Sequence, residues 1–392
     1  MAAITILIQE RVQRTPDNHF WIGSPSNYQY YKKFLAVYSK VFIIARTYEV
    51  SRQNEFLTLL DGEGVEIVPL ANITGMAHVV SHLYSYIRDL DYIFNKTTAV
   101  ILRVPFFLSD LSVQILNKKK IPFAVDVIGD SWDALSPASK VGGILRPIIR
   151  YTCYWSQKRS CRLAICAKYV TNHALQVRYP SQGPKWAASD VLLSKDAYVS
   201  EIRPYRKASP IKLISVGTLD TLYKAHDIQI HSIRLLKEMG YDVTLTIVGD
   251  GKFKPDMESM VEKMDLGGSV FFKGRLTSGQ AIRAELDKAD IFIMPSLAEG
   301  MPRALLEAMA RGMPCIGTTI GGIVELLPRP DLVPPRDSQA LANKIVDFAE
   351  NESRWNQSAL QNLQVSRAYE EKLLEVKLLE FLEYLRYNTE SQ

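Results

Sequence analysis

Residues 290–322 read DIFIMPSLAEGMPRALLEAMARGMPCIGTTIGG, and this stretch decides the fold of the chain. Its apolar runs 291–294 and 314–317 predict two buried strands. Between them, apolar side chains recur at helical spacing. Pro302 suits the first helical position and Gly312 the position just past the helix end. A strand, a helix and a second strand in succession indicate an α/β unit with a parallel sheet.

Two glutamates stand eight residues apart in this unit, Glu299 in the predicted loop and Glu307 two turns along the predicted helix. Glu299 precedes Gly300, where the backbone can approach a ligand closely. The N–H groups from Gly300 to Arg303 face the same opening at the positive end of the helix dipole, which favours an anion such as a diphosphate. Glu307 is placed to accept hydrogen bonds from paired hydroxyls, as on a ribose. The alternatives are a solvated loop acid and an exposed helix residue.

This arrangement resembles the E-x7-E motif of the retaining glycosyltransferases of family four, with Glu299 and Glu307 as the two acids. Members of that family have the GT-B fold. The resemblance therefore implies an α/β protein in which two Rossmann-like domains face each other across a cleft. Each domain is expected to have a parallel sheet with helices on both faces.

The length of 392 residues, with 47% hydrophobic residues, fits a globular protein of two domains. Residues 1–200 are predicted to form an N-terminal acceptor-binding domain, and residues 201–368 a C-terminal domain that binds the nucleotide sugar. In relatives the final helix returns to the first domain, and we expect this of helix 369–387. The interdomain linker is predicted at 195–210, where apolar periodicity is lost.

Apolar and amphipathic runs alternate in the first half, as in a parallel sheet covered on both faces. Ligands bind such sheets beyond the carboxyl ends of the strands. The strands are predicted at 4–8, 41–45, 65–69, 99–103, 122–127, 163–166 and 191–193, and the helices at 28–38, 78–94 and 109–119.

The second half contains two further motifs similar to those of the family. A predicted strand, 211–216, ends at Gly217, after which relatives place a basic residue and then a lysine that meet the donor diphosphate. Here Thr218 takes the first position and Lys224 the second. The resemblance thus implies that Lys224 is the main cationic partner of the leaving group, the alternative being a surface lysine. The turn 249–251 resembles the family's G-[DE]-G turn and is expected to shape the site.

Three residues of the first half are candidates for contact with an acceptor. Gly23, in a loop before a predicted helix, permits close approach of the backbone. Arg103 at a strand end is predicted to pair with an acceptor phosphate, or else to be a salt-bridged strand-end residue. Asp130 takes the place where relatives often have a polar residue that meets the sugar or its acceptor. Many relatives have a histidine slightly before it, where this chain has Val127.

The resemblance implies a retaining, metal-independent hexosyltransferase with no cofactor, whose donor substrate is a nucleotide-diphosphate sugar. Glu307 is expected to hold the ribose, Lys224 the diphosphate, and Glu299 to lie by the sugar. The predicted residues are Lys224, Glu299 and Asp130 for catalysis; Gly217, Thr218, Lys224, Gly300, Met301, Pro302, Arg303 and Glu307 for the donor; and Gly23, Arg103 and Asp130 for the acceptor. The six histidines form no metal-ligand pattern.

Charge is unevenly distributed between the halves. Residues 1–200 hold 23 Lys and Arg against 15 Asp and Glu, a net charge of +8, while residues 201–392 hold 24 against 27, a net charge of −3. A basic first half fits a lipid-linked sugar acceptor or an anionic membrane face, or is ordinary surface charge. Residues 140–162 mix aromatic, aliphatic and basic side chains, as a helix on a membrane surface would, or a core-packing helix with a solvated basic face.

The chain has no apolar run of about 18 residues and no signal-peptide pattern, which favours a cytoplasmic protein, free or peripheral at the inner membrane face. No nucleic-acid motif is present. Two alternatives to glycosyl transfer stay open: a nucleotide-sugar epimerase of GT-B fold, and a non-catalytic protein that binds sugar nucleotides. The non-catalytic alternative stays open because Thr218 stands where relatives have a basic residue, and Val127 where many have a histidine.

Overall fold

The computed structural model describes residues 2–24, 26–72, 81–135, 143–191, 193–207, 209–276 and 279–390. The chain forms two compact units. Unit 1 consists of Met1–Ser131, Tyr151–Asp190 and Leu374–Gln392, and unit 2 consists of Trp132–Arg150 and Val191–Leu373. No helix among the described residues is both long and apolar enough to span a membrane.

Helices flank the sheets of both units. Among the described residues the α-helices are α1 (Tyr28–Lys32), α2 (Leu83–Phe94), α3 (Phe107–Lys119), α4 (Ser131–Ala134), α5 (Arg146–Leu163), α6 (Ala174–Arg178), α7 (His226–Glu238), α8 (Lys254–Lys263), α9 (Gln280–Leu286), α10 (Arg303–Ala310), α11 (Ile323–Leu326), α12 (Ser338–Glu350), α13 (Glu352–Ser366) and α14 (Glu371–Glu390).

Unit 1 contains a mixed sheet with the strands β1 (Ala3–Arg14), β2 (Phe20–Ile22), β3 (Lys40–Glu49), β4 (Thr58–Leu59), β5 (Val65–Ala71), β6 (Ala99–Val104), β7 (Ala124–Val127), β8 (Cys166–Tyr169) and β9 (Lys185–Ala187). Its parallel part has the order β5-β3-β1-β6-β7-β8-β9. β2 pairs antiparallel with the end of β1, and β4 pairs antiparallel with β2. All residues of β6 are buried, as expected for a parallel strand covered on both faces.

Unit 2 contains a wholly parallel sheet with the strands β10 (Ile211–Val216), β11 (Val243–Val248), β12 (Val270–Gly274), β13 (Ile291–Met294), β14 (Cys315–Thr318) and β15 (Leu332–Val333). The order across the sheet is β12-β11-β10-β13-β14-β15. This is the doubly wound order of a Rossmann fold. The first three strands are added towards one edge of the sheet and the last three towards the other, so the strand order reverses between β10 and β13.

The strong apolar patterns predicted their elements well. The strands at 211–216 and 291–294 are confirmed to the residue. The prediction for Pro302 is off by one position. Its extended backbone (φ −79°, ψ 100°) makes it the cap before α10 rather than the first helical residue. Gly312 follows α10 with φ +62°, as predicted.

Two strand predictions in weaker patterns are wrong, and one helix was missed. The strand expected at 163–166 begins only at Cys166, because α5 continues to Leu163. No strand is assigned over the described residues of 191–193, and the edge strand is Lys185–Ala187 instead. Helix α13 was not predicted. Residues 78–80 of the helix predicted at 78–94 lie outside the described residues, and the described part begins at Leu83.

The unit boundary differs from the predicted domain boundary in two places, since residues 191–200 and 132–150 both pack with unit 2. The first difference has a clear physical cause. The N–H of Val199 donates to the carbonyl of Ala310 at 3.1 Å, and the N–H of Arg203 donates to that of Gly312 at 2.9 Å. Backbone hydrogen bonds therefore tie the segment to the end of α10. At the other chain end, helix α14 packs in unit 1, where Trp186 contacts Phe381.

A buried carboxyl joins two helices of unit 1. Asp110 of α3 is hydrogen-bonded to Ser156 of α5, and burial raises the pKa of Asp110 from 3.8 to about 6. The unfolded state therefore loses this proton at lower pH than the folded state does. Stability should fall as pH rises from about 4 to about 6, by on the order of 2 kcal/mol, and stay reduced above pH 6.

Asp110→Asn is expected to remove this pH dependence and to raise the free energy of unfolding at pH 7.5 by about 1–2 kcal/mol, because the neutral amide needs no ionisation in the buried site. Urea denaturation at pH 4, 5, 6 and 7.5 measures it. Asp89→Asn, a half-exposed carboxylate on α2 that pairs with its neighbour Arg88, is the matched control and should leave the profile as it is. Parallel profiles for wild type and Asp110→Asn would contradict the assignment.

Candidate functional site

The predicted donor residues meet at one edge of the sheet in unit 2. Gly217 follows β10, and Glu299 lies in the loop after β13, the neighbouring strand. These are the carboxyl ends of the two strands between which the strand order reverses. In open α/β sheets, ligands bind in the crevice at this reversal point. The structure therefore brings the two sequence-distant loops to the place where a ligand is expected.

The loop after β10 is held by the turn 249–251. The N–H of Leu219 donates to the carbonyl of Asp250 at 2.9 Å. A Cβ at Gly249 would lie 1.8 Å from the carbonyl oxygen of Gly217, so only glycine fits there. The turn thus fixes the course of the 217–220 loop, which is the role that the sequence predicts for it.

An ion pair joins the loop after β10 to the loop after β13. Lys224 Nζ lies 2.6 Å from Glu299 Oε1, and the two side chains are only 16% and 9% exposed. The N–H of Leu297 also donates to the carbonyl of Tyr223 at 2.7 Å. Burial alone would lower the pKa of Lys224, but the Glu299 carboxylate outweighs it, so the pKa is raised and the ammonium stays charged. Lys224 is therefore a fixed, partly buried cation beside Gly300.

Free amide groups follow directly on Glu299. The N–H groups of Gly300, Met301 and Arg303 donate to no acceptor among the described residues. All three residues are partly exposed, and α10 begins at Arg303. Unpaired N–H groups at a helix start bind anions. Pro302 has no N–H, so of the four predicted residues it alone offers no donor.

Glu307 is buried on the first turns of α10. Its side chain is 3% exposed and accepts a hydrogen bond from Arg303 Nε at 2.9 Å, while the Arg303 side chain is 34% exposed. The alternative of an exposed helix residue is therefore wrong for Glu307. A buried carboxylate with one cationic partner keeps lone pairs for further donors.

Two glycines support the loop that carries Glu299. A Cβ at Gly321 would lie 2.0 Å from the Glu299 carbonyl oxygen, and one at Gly322 would lie 2.0 Å from that of Gly300. The N–H of Gly322 also donates to the Gly300 carbonyl at 3.0 Å. Gly321 has φ +49°, in the left-handed region. The segment after β14 therefore packs backbone to backbone against the loop.

Gly321→Ala is expected to displace Glu299 and Gly300, because the new Cβ cannot coexist with the carbonyl oxygen in its present position. We expect a loss of about 2–4 kcal/mol of stability from overpacking and backbone strain, and at least tenfold weaker binding of a nucleoside diphosphate. Thermal unfolding and isothermal titration calorimetry measure the two effects.

Gly268→Ala is the matched control, since no atom lies within 4 Å of a Cβ there and its φ is not positive. It should change neither quantity by much. Equal effects at both glycines would show that the close packing on Glu299 has no part in holding the site.

One residue that supports the loop, His226, was not predicted. His226 is buried, with Nε2 3.3 Å from the Thr218 carbonyl oxygen and Nδ1 3.4 Å from Gln229 Oε1. Burial lowers the pKa of His226, so the ring is neutral at pH 7. The Thr218 hydroxyl donates within its own loop, to Asp220 at 3.1 Å. The sequence alone does not distinguish a histidine that supports a loop from one that binds a ligand, so the position of His226 at the start of α7 gave no indication of its role.

Arg103 does not have the surroundings predicted for it. Its side chain is 2% exposed, and its partners are Glu10 at 3.2 Å, Asp126 at 3.3 Å and Asp190 at 2.8 Å. Lys168 pairs with Asp126 from the other side, at 2.7 Å. Three carboxylates already surround this guanidinium, so it has no free face for an acceptor phosphate. The contacts are those of the alternative, a salt-bridged strand-end residue.

Asp130 is also engaged inside unit 1. Its side chain is 6% exposed, accepts a hydrogen bond from Tyr179 Oη at 2.6 Å and pairs with Arg178. The loop is further held by Gln157, whose amide contacts Gly129 and Ser131. Arg178 and Tyr179 lie almost fifty residues after Asp130 in the sequence, so no local pattern indicates this cluster. A role for Asp130 with the substrate stays a prediction.

Gly23 lies in an exposed loop after β2. It comes one strand later than predicted, because the chain forms a second, antiparallel strand after β1. Its contact with an acceptor stays a prediction.

Comparisons with known proteins agree with this geometry. Residues 210–351 match the family described as "Glycosyl transferases group 1". Protein CapJ of Staphylococcus aureus is 27% identical over 377 residues, 93% of each chain. The putative colanic acid biosynthesis glycosyltransferase WcaL of Escherichia coli is 36% identical over 152 residues, 36% of this chain and 37% of WcaL.

Two solved structures show the same fold. A sucrose-phosphate synthase from Thermosynechococcus elongatus superposes with a TM-score of 0.71 at 15% identity, over 98% of this chain and 99% of that one. HepE of Anabaena, in complex with UDP-glucose, gives a TM-score of 0.65 at 15% identity, over 98% and 100%.

The fold is that of these GT-B proteins, and the predicted α/β class, with parallel sheets flanked by helices, is confirmed. Residues 210–351 match the model of the group 1 glycosyltransferases, which agrees with the resemblance drawn from Glu299 and Glu307.

Proposed function

We propose that this protein transfers a hexosyl group from a nucleotide-diphosphate sugar to a sugar acceptor in polysaccharide assembly, with retention of the anomeric configuration, as in family four. The observation that carries the proposal is the Lys224–Glu299 pair at 2.6 Å, beside the unpaired amides that begin at Gly300. Lys224 is a cation held in place by Glu299, and the amides are main-chain donors. Both lie at the sheet edge where Rossmann-like sheets bind ligands.

The chemistry follows from the charges. The bond between the anomeric carbon and the diphosphate oxygen breaks, and negative charge grows on the departing diphosphate. Lys224 and the amides of Gly300, Met301 and Arg303 are placed to meet that charge, and preorganised donors of this kind stabilise a transition state by several kcal/mol. The acceptor hydroxyl attacks from the face that the diphosphate leaves, and its proton passes to the diphosphate.

Each predicted residue then has a role that this chain's own atoms can perform. Glu307 holds the ribose hydroxyls, and Glu299 lies by the sugar while it keeps Lys224 in place. Gly217 and Thr218 form the floor of the diphosphate site. The roles of Lys224 and the amides require neither metal nor cofactor, so we propose metal-independent transfer.

The names of relatives support the acceptor class. Besides CapJ and WcaL, AmsK of Erwinia amylovora is an amylovoran biosynthesis glycosyltransferase, 34% identical over 153 residues. HepE was solved with UDP and with UDP-glucose. We therefore propose a growing polysaccharide precursor, free or lipid-linked, as acceptor and a uridine diphosphate sugar as the first donor to test.

The test is a panel of nucleotide sugars, each incubated with the protein and an extract of lipid-linked and soluble saccharides. Transfer releases a nucleoside diphosphate together with a new glycoside. Epimerisation changes the sugar while the nucleotide stays attached, and a non-catalytic protein binds the nucleotide and releases nothing. The proposal fails if no donor gives both products.

We also propose peripheral attachment to an anionic membrane at the cytoplasmic face. Ile148, Trp155, Arg159 and Arg162 recur on one face of α5, and all four side chains are exposed. Ile144, just before the helix, is 96% exposed. Aromatic and aliphatic side chains next to arginines are typical of helices that lie in a membrane interface.

Vesicle sedimentation tests the attachment. Wild-type protein should bind vesicles that contain anionic lipid and not neutral vesicles, and Ile148→Ala combined with Trp155→Ala should reduce binding several-fold. Val177→Ala is the control, an exposed apolar side chain outside α5. Equal binding to neutral vesicles, or equal loss in the control, would contradict the proposal.

A further inference from the structure

Two arginines face each other across neighbouring strands in unit 1. Arg11 of β1 and Arg46 of β3 are register partners in the parallel pair. Strands pair about 4.8 Å apart, and directly opposed side chains share one face of the sheet. Two like charges so placed repel each other, which lowers stability unless an anion lies between or beside them.

Neither arginine has a carboxylate partner. Within the described part of the chain, no Asp or Glu lies within ion-pair distance of either guanidinium, whereas Arg14, on the same strand, pairs with Glu49. The residues outside that part contain no Asp or Glu side chain at all. The two charges are therefore not neutralised by this protein.

Arg46 is held firmly in place. Its Nη2 donates to the Gln9 carbonyl at 2.8 Å, and its guanidinium carbon lies 4.8 Å from the centre of the Phe106 ring and 5.7 Å from that of Phe107. The Gln9 carbonyl is available because the register of β1 against β3 shifts between Leu7 and Arg11. A guanidinium stacked on aromatic rings keeps its edge free for planar, two-point hydrogen bonds.

Two polar atoms on this face have no partner among the described residues. Arg46 Nε and Gln13 Oε1 are both buried and without a hydrogen bond. Gln13 is two residues after Arg11 and pairs with Tyr48, two residues after Arg46, so both atoms belong to the same face. Burial and the nearby Arg11 together lower the pKa of Arg46, so an anion would relieve a real electrostatic penalty.

The position fits a substrate site. β6, the other neighbour of β1, ends at Val104, and Phe106 follows it, so the arginines lie at the carboxyl-end edge of the unit 1 sheet. Ligands of α/β sheets bind at this edge. We propose that Arg11 and Arg46 form an anion site that binds a phosphate group of the acceptor, in place of Arg103, whose charge is already neutralised.

That the bound phosphate belongs to the acceptor rests on the proposed function. Phosphate binding by Arg11 and Arg46 does not. A phosphate could come from a soluble sugar phosphate or from a lipid carrier, and the shared group is what the guanidinium fork recognises. We therefore choose probes that carry the same phosphate with and without an alkyl chain: methyl phosphate in buffer and decyl phosphate in neutral detergent micelles.

The test compares wild type with Arg46→Gln, Arg46→Lys and Arg11→Gln by isothermal titration calorimetry. Binding of both probes should weaken at least tenfold in Arg46→Gln and several-fold in Arg11→Gln. Arg46→Lys keeps the charge without the planar fork and should fall between wild type and Arg46→Gln. Tighter binding of decyl phosphate would indicate a lipid carrier, and equal binding of both probes a soluble phosphate; either outcome supports the site.

Arg14→Gln is the matched control, because Arg14 lies three residues along β1 and already has Asn18 and Glu49 as partners. It should change phosphate affinity less than twofold. Unit 2 supplies the folding control: all variants should bind a nucleoside diphosphate with wild-type affinity. Phosphate should also raise the melting temperature of wild type but not that of Arg46→Gln.

The proposal is overturned if Arg46→Gln binds both probes as wild type does, or if Arg14→Gln loses as much affinity. These outcomes are separate from failure of the proposed function, which would appear as absence of glycoside from every donor while phosphate binding by Arg46 persists.

Discussion

Lys224→Ala is expected to lower kcat by about 100- to 1000-fold, the effect of removing one preorganised donor from a developing negative charge. The ammonium is held by Glu299 at 2.6 Å and is largely shielded from water, so it needs little reorganisation to meet the departing diphosphate. Steady-state kinetics with the donor identified by the panel measure the change. The donor KM should rise by a smaller factor.

The ion pair makes a second variant informative. In Lys224→Ala, the Glu299 carboxylate loses its cationic partner and would repel the diphosphate. Adding Glu299→Gln should therefore recover part of the donor affinity but not of kcat. Lys237→Ala, an exposed lysine near the end of α7, is the control and should match wild type. Unchanged kcat in Lys224→Ala would refute the assignment of the leaving-group partner.

Glu307→Ala is expected to weaken binding of a nucleoside diphosphate about 10- to 100-fold, with little change in kcat at saturating donor. Hydrogen bonds to a charged group contribute about 1.5–3 kcal/mol, and the buried carboxylate is proposed to accept from both ribose hydroxyls. Isothermal titration calorimetry with the ribo- and 2′-deoxynucleotides measures it. Wild type should prefer the ribonucleotide, and Glu307→Ala should lose that preference.

Arg303 requires its own control, because Glu307→Ala also frees this arginine beside the amides. Arg303→Ala alone should keep the preference for ribose even where overall affinity falls. Glu262→Ala, on α8, tests for nonspecific loss of charge in unit 2. If Glu307→Ala kept the full preference for the ribonucleotide, the carboxylate would not be the ribose partner.

The residues of the proposed donor site could be grouped from the sequence because most of them are local. Gly300, Arg303 and Glu307 belong to one strand–loop–helix unit, and their spacing along the chain sets their spacing in space. Lys224 was predicted from its position a few residues after Gly217, which follows a predicted strand. The parallel sheet then brings the two loops together, since β10 and β13 are neighbours whose carboxyl ends share one edge.

The first half was predicted less well, because its polar residues find partners far along the chain. Arg103 meets Asp190, and Asp130 meets Tyr179, pairings that no local pattern indicates. The pairing of Arg11 with Arg46 also depends on the register shift in β1, which no periodicity shows.

The sequence by itself determined the α/β class and the order of charged and flexible residues around Glu299, since helix and strand periods and short motifs act over a few residues. Only the tertiary structure decided which charges are neutralised. It showed that Lys224 is paired with the residue that precedes the free amides, that the charge of Arg103 is already satisfied, and that Arg46 has no carboxylate partner among the described residues. Charge pairing depends on distances of a few ångströms between side chains from separate strands, and those distances exist only after the sheet has formed.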